Sequence, residues 1–220
     1  MIVTIDGPAG AGKSTVAKAL ARRLGYDFLD TGAMYRAVTL AGLRARIDFS
    51  DQNAIARLVP SINVEMPPGR VLLSGEDVTS LIRTKEITAA SGAIASSHAV
   101  RLRLVALQRT IAKGRDFVCE GRDQGTVVFP EALCKFFLTA DRTERAKRRQ
   151  GEMAKRGEVV TLQDVLMAQD ARDARDAARD MGPMVAATDA VLLDTTKLTL
   201  DQVVDAMEHH VRSRLAGATS

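Results

Sequence analysis

One short segment near the start of the chain has residue types and spacing that suit phosphate chemistry. The residues from Gly7 to Ser14 match the pattern G-x-x-x-x-G-K-S/T. Glycines let a backbone curl so that successive N–H groups point at phosphate oxygens, and the lysine and hydroxyl reach the terminal phosphates and Mg²⁺. An ordinary glycine-rich turn is the alternative. We therefore expect a site for a nucleoside triphosphate with Mg²⁺, in which Lys13 is catalytic and Ser14 ligates the metal, formed by Gly7, Pro8, Ala9, Gly10, Ala11, Gly12, Lys13, Ser14 and Thr15.

The segments on either side of this loop must hold it in place. Ile2–Asp6 is an apolar run of strand length, and it ends where the loop begins. After the loop, Val16, Leu20 and Leu24 recur at helical spacing, and Gly25 is placed to cap the C-terminus of that helix. A strand, a loop and a helix in this order predict that the helix N-terminus adds its partial positive charge to the anion site.

Strand-length apolar runs alternate with longer helical patterns, which predicts a parallel sheet with crossover helices. The expected fold class is therefore α/β, a P-loop NTPase-type five-stranded parallel sheet flanked by helices. The predicted strands are Ile2–Asp6, Asp27–Leu29, Phe117–Glu120, Lys135–Leu138 and Ala190–Leu193. The predicted helices are Lys13–Leu24, Ala33–Ala45, Ala99–Lys113 and Thr161–Ala178, then a last helix with an apolar stripe of Leu200, Val203, Val204, Met207 and Val211.

Two stretches interrupt this alternation. Residues 62–79 place two apolar runs on either side of a Pro-Pro-Gly-Arg turn, which predicts a small antiparallel insert. Residues 141–157 are crowded with arginine and lysine, a pattern that is usually a solvated face. We expect a single domain over residues 1–220 that contains both stretches.

Composition limits the kind of partner. The net charge is +4, but only 4% of the residues are aromatic and none is Trp, which leaves few surfaces for stacking bases. We therefore expect small anionic ligands and no nucleic-acid partner. The chain lacks a membrane-spanning apolar run, and its first residues lack the features of a signal peptide. We expect a cytoplasmic monomer without membrane contact, in which Cys119 and Cys134 are core residues and form no disulfide.

The absence of other motifs narrows the reaction. The sequence has no N-K-x-D guanine-reading motif, no D-x-x-G switch segment and no obvious catalytic triad. This pattern fits an acceptor that is already an anion, because a phosphomonoester has a second pKa of about 6 and needs little help from a general base. A kinase that phosphorylates a nucleotide must also hold two polyanions close together, a task that suits guanidinium groups.

Three further segments carry arginines and carboxylates. Asp30–Arg36 follows the second predicted strand and Glu120–Asp123 follows the third, so both lie at the carboxyl edge of the sheet, where ligands bind. Arg172, Asp176 and Arg179 are spaced i, i+4 and i+7, which predicts that they share one helix face. Taken alone, such a trio is more typical of a surface salt-bridge stripe.

Together these segments resemble the bacterial cytidylate kinase family. The stretches I-D-G-P-A-G-A-G-K-S-T, D-T-G-A-M-Y-R, E-G-R-D-Q-G-T-V-V-F-P and R-D-A-R-D-A-A-R occur in that family's order and spacing. The resemblance implies transfer of the γ-phosphoryl group of MgATP to CMP, and also to dCMP, giving ADP and CDP or dCDP. It further implies a nucleoside-monophosphate-binding region that includes residues 62–79, and a mobile basic lid at residues 141–157.

The resemblance also implies roles for individual residues. Those that would hold the acceptor phosphate are Arg36, Arg122 and Arg179. Those that would contact the ribose are Arg172 and Asp176, with Thr31 in the same substrate site. Those that would read the cytosine are Ser91, Arg101 and Asp123. Charge on the transferred group would be neutralised by Lys13, Arg122 and Arg148, with Arg145 and Arg149 as further lid arginines.

Two positions depart from the family pattern without removing a charged contact. Glu120 stands where Asp is also common, and Gln124 replaces an apolar residue. Two alternatives to the implied activity stay open at this point. One is a P-loop kinase for another acceptor, such as UMP, AMP or a metabolic alcohol. The other is a regulatory nucleotide switch or an RNA-associated ATPase.

Overall fold

Strands and helices alternate along the chain, as the spacing of the apolar runs predicts. The structure is a computed structural model and describes residues 1–218. Its strands are β1 (Ile2–Asp6), β2 (Asp27–Asp30), β3 (Val64–Glu65), β4 (Leu72–Leu73), β5 (Glu76–Asp77), β6 (Phe117–Glu120), β7 (Cys134–Thr139) and β8 (Val191–Asp194). Its α-helices are α1 (Lys13–Leu24), α2 (Thr31–Arg44), α3 (Gln52–Leu58), α4 (Lys85–Ser96), α5 (His98–Ala112), α6 (Arg142–Ala154), α7 (Leu162–Ala177) and α8 (Leu200–Ala218).

β1 lies in the middle of a five-stranded parallel sheet with the strand order β2-β6-β1-β7-β8. Its register aligns Ile5 with Glu120 of β6 and Asp6 with Phe137 of β7. All of β1 after its first residue is buried, as expected of a central parallel strand covered on both faces. Because parallel strands end at the same edge, the loop after Asp6 and the segment after Glu120 start side by side.

A buried apolar cluster fixes α1 against the sheet. α1 and α8 pack on each other, and their apolar side chains meet those of β1 and β7. Val16 and Leu20 of α1 are buried, as are Val203, Val204, Met207 and Val211 of the stripe predicted for α8. Leu200 falls in the same predicted stripe but is exposed, because it is the first residue of the helix. Removal of this surface from water holds α1, and therefore the loop before it, in place.

The chain divides into two compact units. The first contains Met1–Phe28 together with the chain from Asp116 onward, and it carries the central part of the parallel sheet. The second is Leu29–Arg115, in which α2 packs on α4 and α3 packs on α5 around buried residues such as Met34, Ile55 and Leu104. Within residues 1–218, no helix has both the length and the apolar character needed to cross a lipid bilayer.

The antiparallel insert predicted at residues 62–79 is present, but it has three strands in the order β3-β4-β5. Only β3 and β4 were expected, because β5 consists of two exposed acidic residues. The sequence pattern also did not predict α3, α4 or α6. Where a strand of the parallel sheet or a helix was predicted, its observed ends lie within two residues of the prediction. Cys119 and Cys134 are free and buried, as expected.

One prediction about helix α7 is wrong. The helix ends at Ala177, and Ala178 follows it in a non-helical conformation, so Arg179 does not share a helix face with Arg172 and Asp176. After this point the chain turns back, and the Met184 N–H donates to the carbonyl of Asp176 at 2.9 Å. The three residues nevertheless meet through their side chains.

Candidate active site

The N-terminus of α1 is open to an anion. Gly12 precedes the helix with a φ of 85°, and among residues 1–218 no side chain caps this end or places an acid in its first turn. The unpaired N–H groups and the helix dipole therefore point toward the loop of residues 7–12. This arrangement fits a bound phosphate chain, as the sequence motif predicts.

Lys13 lies inside this loop rather than in solvent. Its side chain is 5% exposed, and Nζ donates to the carbonyl of Pro8 at 2.6 Å. Burial lowers the pKa of Lys13 well below its usual value, and the positive charge of Arg122 lowers it further, while Glu120 and Asp6 act in the opposite direction. An anionic ligand beside Nζ would favour the charged form of Lys13 and raise this pKa.

Ser14 and Glu120 form a pair of hard oxygen ligands. The Ser14 hydroxyl donates to Oε1 of Glu120, which ends β6. Hydroxyl and carboxylate oxygens are the protein ligands that Mg²⁺ accepts, usually beside waters and phosphate oxygens. The pair therefore fits the expected metal. Glu120 was noted in the sequence but was not predicted as a site residue, and its position at the end of a strand beside β1 was the available signal.

Two groups from α6 and α7 brace the phosphate loop. The Ala9 N–H donates to Asp173 Oδ1 at 3.2 Å, and Arg145 donates to the Ala9 carbonyl at 2.9 Å while pairing with Asp173. Gly10 has a φ of 79°, and a Cβ there would lie 2.9 Å from the Arg145 carbonyl oxygen and 3.1 Å from Gln169 Oε1. The loop is therefore held closely on both sides. The sequence did not predict Asp173 or Gln169 as site residues.

The basic run predicted as a lid forms α6 and the turn that follows it. Arg148 donates to Glu144, to the Thr195 hydroxyl at 3.0 Å and to the Thr195 carbonyl at 2.8 Å. Arg149 pairs with Glu152 at 3.0 Å on the exposed side of the helix. Of the three lid arginines considered, Arg145 is the one placed against the phosphate loop. The mobility of this segment stays a prediction.

A cluster of arginines surrounds the buried carboxylate of Asp176. Arg122 Nε lies 2.9 Å from Oδ2, Arg179 donates to Oδ1, and Arg172 Nε lies 3.9 Å away. Burial alone would raise the pKa of Asp176, but the charges of the arginines outweigh it and hold this pKa below its usual value. The structure thus brings together four of the predicted acceptor residues.

Asp123 is buried directly after Arg122, at the start of an unusual turn. Residues Gln124–Val128 form a single π-helical turn, and the N–H groups of Val127 and Val128 donate to the Asp123 carbonyl at 2.9 and 3.2 Å. The charge of Asp123 also helps to raise the pKa of Asp6, whose burial is the largest cause of that rise. Such turns are rare and often occur at functional sites.

The remaining predicted acceptor residues belong to the unit Leu29–Arg115. Arg36 Nη1 donates to the Thr88 hydroxyl at 2.7 Å, and the Ser91 hydroxyl donates to the Thr88 carbonyl at 3.0 Å, so both contact Thr88. Thr31 is the buried first residue of α2. The Arg101 side chain is fully buried, with its guanidinium carbon 5.9 Å from the centre of the Tyr35 ring.

Comparison with known proteins places this geometry in a family. The family model described as "Cytidylate kinase" matches residues 3–213. The chain is 48% identical over 219 residues to "Cytidylate kinase" of Mycobacterium avium, covering 97% of this chain and 96% of that protein. It is 44% identical over 212 residues to "Cytidylate kinase" of Rhodopirellula baltica, covering 96% and 93%.

A solved structure agrees at the level of the fold. The crystal structure of an uncharacterized protein from Eubacterium ventriosum superposes with a TM-score of 0.53 at 13% identity, over 97% of this chain and 98% of that one. At this identity the similarity concerns the fold alone. The family match and the identities to the curated relatives, each over most of the chain, carry the assignment: the chain belongs to the cytidylate kinase family.

Proposed function

We propose that this chain is an ATP-dependent CMP kinase that converts MgATP and CMP to ADP and CDP, and that it also accepts dCMP. The observation that carries the proposal is membership of the cytidylate kinase family over residues 3–213. The open N-terminus of α1 and the arginine cluster at Asp176 supply the two anion sites that such a reaction needs. The alternatives, a kinase for another acceptor or a regulatory ATPase, are not favoured by the family.

On the donor side, the loop N–H groups and the α1 N-terminus bind the triphosphate. Lys13 Nζ, held beside the Pro8 carbonyl, moves to the phosphates and offsets their charge. Ser14 ligates Mg²⁺, and Glu120 accepts from Ser14 and orients that hydroxyl. Bound MgATP supplies the phosphoryl group and the divalent charge that neutralises its oxygens.

On the acceptor side, Arg122 and Arg179 hold the CMP phosphate, while Arg172 and Asp176 contact the ribose. An oxygen of that phosphate attacks the γ-phosphorus as the bond from this phosphorus to the ADP oxygen breaks. The attacking oxygen carries no proton at neutral pH, because the second pKa of a phosphomonoester is about 6. No general base is therefore required, and catalysis consists of positioning and charge neutralisation.

Other residues take their roles in this proposal from the family resemblance. Arg36 binds the acceptor phosphate, Thr31 belongs to the same substrate site, and the cytosine is read by Ser91, Arg101 and Asp123. Arg148, on the α6 segment that the proposal treats as a lid, joins Lys13 and Arg122 in neutralising the transferred group. Closure of this lid excludes water, which limits ATP hydrolysis. The proposal includes a cytoplasmic monomer that acts on small nucleotides and not on nucleic acid or membranes.

The proposed function is tested by measuring ADP release with a panel of acceptors. Purified chain with MgATP receives AMP, GMP, CMP, UMP or dCMP, and a reaction without acceptor measures hydrolysis alone. We expect turnover with CMP and dCMP at least about tenfold above UMP, because each good contact to a base edge is worth about 1–3 kcal/mol. Equal turnover with AMP or UMP would contradict the assignment, and ADP release that needs no acceptor would indicate an ATPase.

A further inference from the structure

The carboxylate of Asp6 is buried beside the candidate site, and the proposed reaction gives it no role. Asp6 is the last residue of β1 and is 4% exposed. One carboxylate oxygen, Oδ1, accepts from the backbone N–H of Gln124 at 2.9 Å. The other, Oδ2, accepts from the N–H of Gly125 at 2.8 Å. Both oxygens are therefore committed to one short backbone segment that lies far away in sequence.

That segment is the start of the π-helical turn that follows Asp123. The first N–H groups of any helical turn have no partner inside the turn, so a buried turn needs an outside acceptor for them. Asp6 supplies that acceptor twice, as an N-cap residue does in an ordinary helix. Since Val127 and Val128 donate to the Asp123 carbonyl, the turn fixes the backbone of Asp123 as well.

Packing on the other side leaves the turn little freedom. A Cβ added at Gly125 would lie 2.9 Å from the Thr4 hydroxyl and 3.3 Å from Lys135 Cδ. Thr4 belongs to β1 and Lys135 to β7, so the turn is seated directly on two strands of the sheet. The two hydrogen bonds from backbone N–H groups to Asp6 then determine how the turn lies on these strands.

The electrostatics show what this arrangement costs. The pKa of Asp6 is raised from 3.8 to about 6: burial is the largest cause and the charge of Asp123 adds to it, while the two hydrogen bonds from backbone N–H groups and the charge of Lys13 oppose the rise. Burial raises the pKa of the nearby Cys119 thiol, and the charge of Asp6 raises it further. Desolvation and the nearby like charge both work against an ionised Asp6, whereas the two hydrogen bonds that it accepts from backbone N–H groups favour the ionised form.

From this geometry we propose that Asp6 is a positioning residue for selection of the acceptor base. It holds the turn that begins at Asp123, and thereby sets the position of the Asp123 carboxylate. A carboxylate in the right place accepts a hydrogen bond from the N4 amino group of cytosine, whereas uracil offers an oxygen there. This inference rests on the proposed function, in which Asp123 reads the cytosine.

The test is the Asp6→Asn variant, which keeps the shape but replaces one accepting oxygen with an amide donor that opposes a backbone N–H. We expect the ratio of kcat/KM for CMP to that for UMP to fall at least about tenfold, within the range for a lost base contact. The KM for ATP should change by less than about threefold, because the loop keeps its contacts to Asp173 and Arg145.

Asp173→Asn is the matched control, since it removes a carboxylate that accepts from the Ala9 N–H on the ATP loop. It should raise the KM for ATP and leave the CMP-to-UMP ratio within about twofold. If the wild type prefers CMP and Asp6→Asn keeps the same preference, the inference is overturned. Equal losses with both acceptors together with a raised KM for ATP would also overturn it. A wild type without CMP preference would instead refute the proposed function.

A second measurement uses the unaltered chain and decides the matter even if the variant does not fold. The backbone ¹⁵N and ¹H shifts of Gln124 and Gly125 are followed from pH 5 to pH 8. Both amides should shift with one common inflection near pH 6, because both donate to the carboxylate that titrates there. Inflections at different pH values for the two amides would show that they do not donate to the same carboxylate, which would overturn the inference.

Discussion

Asp6 and Asp176 are buried to the same extent, 4% exposed each, yet their environments have opposite effects. Asp176, near the end of α7, is surrounded by the guanidinium groups of Arg122, Arg172 and Arg179, and its pKa lies below the usual value. Asp6, at the end of β1, accepts from two backbone amides, and burial raises its pKa to about 6. Burial opposes ionisation at both sites, so the partners make the difference.

The comparison separates a charge site from a positioning site. A guanidinium carries a full charge that offsets desolvation, whereas an amide offers only a dipole. At Asp176 three guanidinium groups lie around one carboxylate, a grouping of positive charge that suits a phosphate dianion. At Asp6 the two hydrogen bonds from backbone N–H groups determine the geometry of the backbone.

The charge of Lys13 interacts with both regions: it lowers the pKa of Asp6, and the charges of Arg122 and Arg172 in the Asp176 cluster act on Lys13 itself. Removal of Lys13 should therefore have the largest effect. Lys13→Ala should lower kcat about a thousandfold, in line with the loss of a preorganised charge at the transferred group. Its melting temperature should stay within about 3 °C of wild type. The pKa of Asp6 should rise above about 6, because the Lys13 charge now lowers it. Kinetics, thermal melting and the amide titration measure these three quantities.

Lys18→Ala is the matched control, because Lys18 lies exposed on the same helix, with its Nζ 5.4 Å from the Phe28 ring centre. It should leave kcat within about twofold of wild type. A Lys13→Ala variant that folds normally and turns over at a near wild-type rate would remove Lys13 from the catalytic group.

The comparison is tested next by neutralising each aspartate. Asp176→Asn should lower the free energy of unfolding at pH 7.5 by about 3 kcal/mol, because the largely buried side chains of Arg122 and Arg179 lose the charge of this carboxylate. Asp6→Asn should lower the free energy of unfolding by under about 1 kcal/mol, since the relief of carboxylate desolvation offsets the lost hydrogen bond from a backbone N–H. Urea unfolding measures both. The control is Asp170→Asn on α7, which removes the carboxylate that pairs with the exposed Arg142 of α6. It should leave the melting temperature unchanged. Similar losses at Asp6 and Asp176 would end the distinction.

The pH dependence of stability should differ in sign between the two sites. The pKa of Asp6 is raised from 3.8 to about 6, so its contribution to stability is complete below pH 3.8 and is lost as pH rises through about 6. The pKa of Asp176 is lowered, so its contribution is present above pH 3.8 and is lost only as pH falls through that lower value.

Between pH 4.5 and pH 7.5 the wild type should therefore lose about 2 kcal/mol of unfolding free energy relative to Asp6→Asn. Over the same range its difference from Asp176→Asn should stay constant. Urea unfolding at intervals of half a pH unit measures both differences. If the difference in unfolding free energy between wild type and Asp6→Asn did not change with pH, the Asp6 carboxyl would have an ordinary pKa.

Local patterns were enough to predict the scaffold of the site. β1 and α1 lie at their predicted bounds, because an apolar strand, a glycine-rich loop and a helix capped by Gly25 are each recorded in neighbouring residues. The short α3 buries only Ile55, so it has no periodicity to detect. Arg179 was placed on α7 because spacing says nothing about where tertiary contacts end a helix.

The partners of the site residues could not be predicted from spacing. Asp6 and Gln124 are separated by 118 positions, and Ala9 and Asp173 by 164. Only the fold brings such pairs together, since the carboxyl ends of β1 and β6 share one edge of the sheet. The family motifs identified Arg122, Asp123 and Asp176 as candidates, but they did not predict that Arg122 and Asp176 bind each other or that the charge of Asp123 raises the pKa of Asp6.

The smallest expected effect separates the arginines of the Asp176 cluster from each other. Arg179 is 10% exposed and donates to Asp176, whereas Arg172 is 40% exposed with its Nε 3.9 Å away. Solvent screens the exposed charge, so Arg172→Ala should raise the KM for CMP only about threefold. Arg179→Ala should raise it at least about tenfold, and neither variant should change the KM for ATP more than about twofold. Steady-state kinetics with each substrate varied in turn gives these values. If Arg172→Ala were the more damaging variant, the ribose contact of Arg172 would contribute more to CMP binding than the phosphate contact of Arg179, against this expectation.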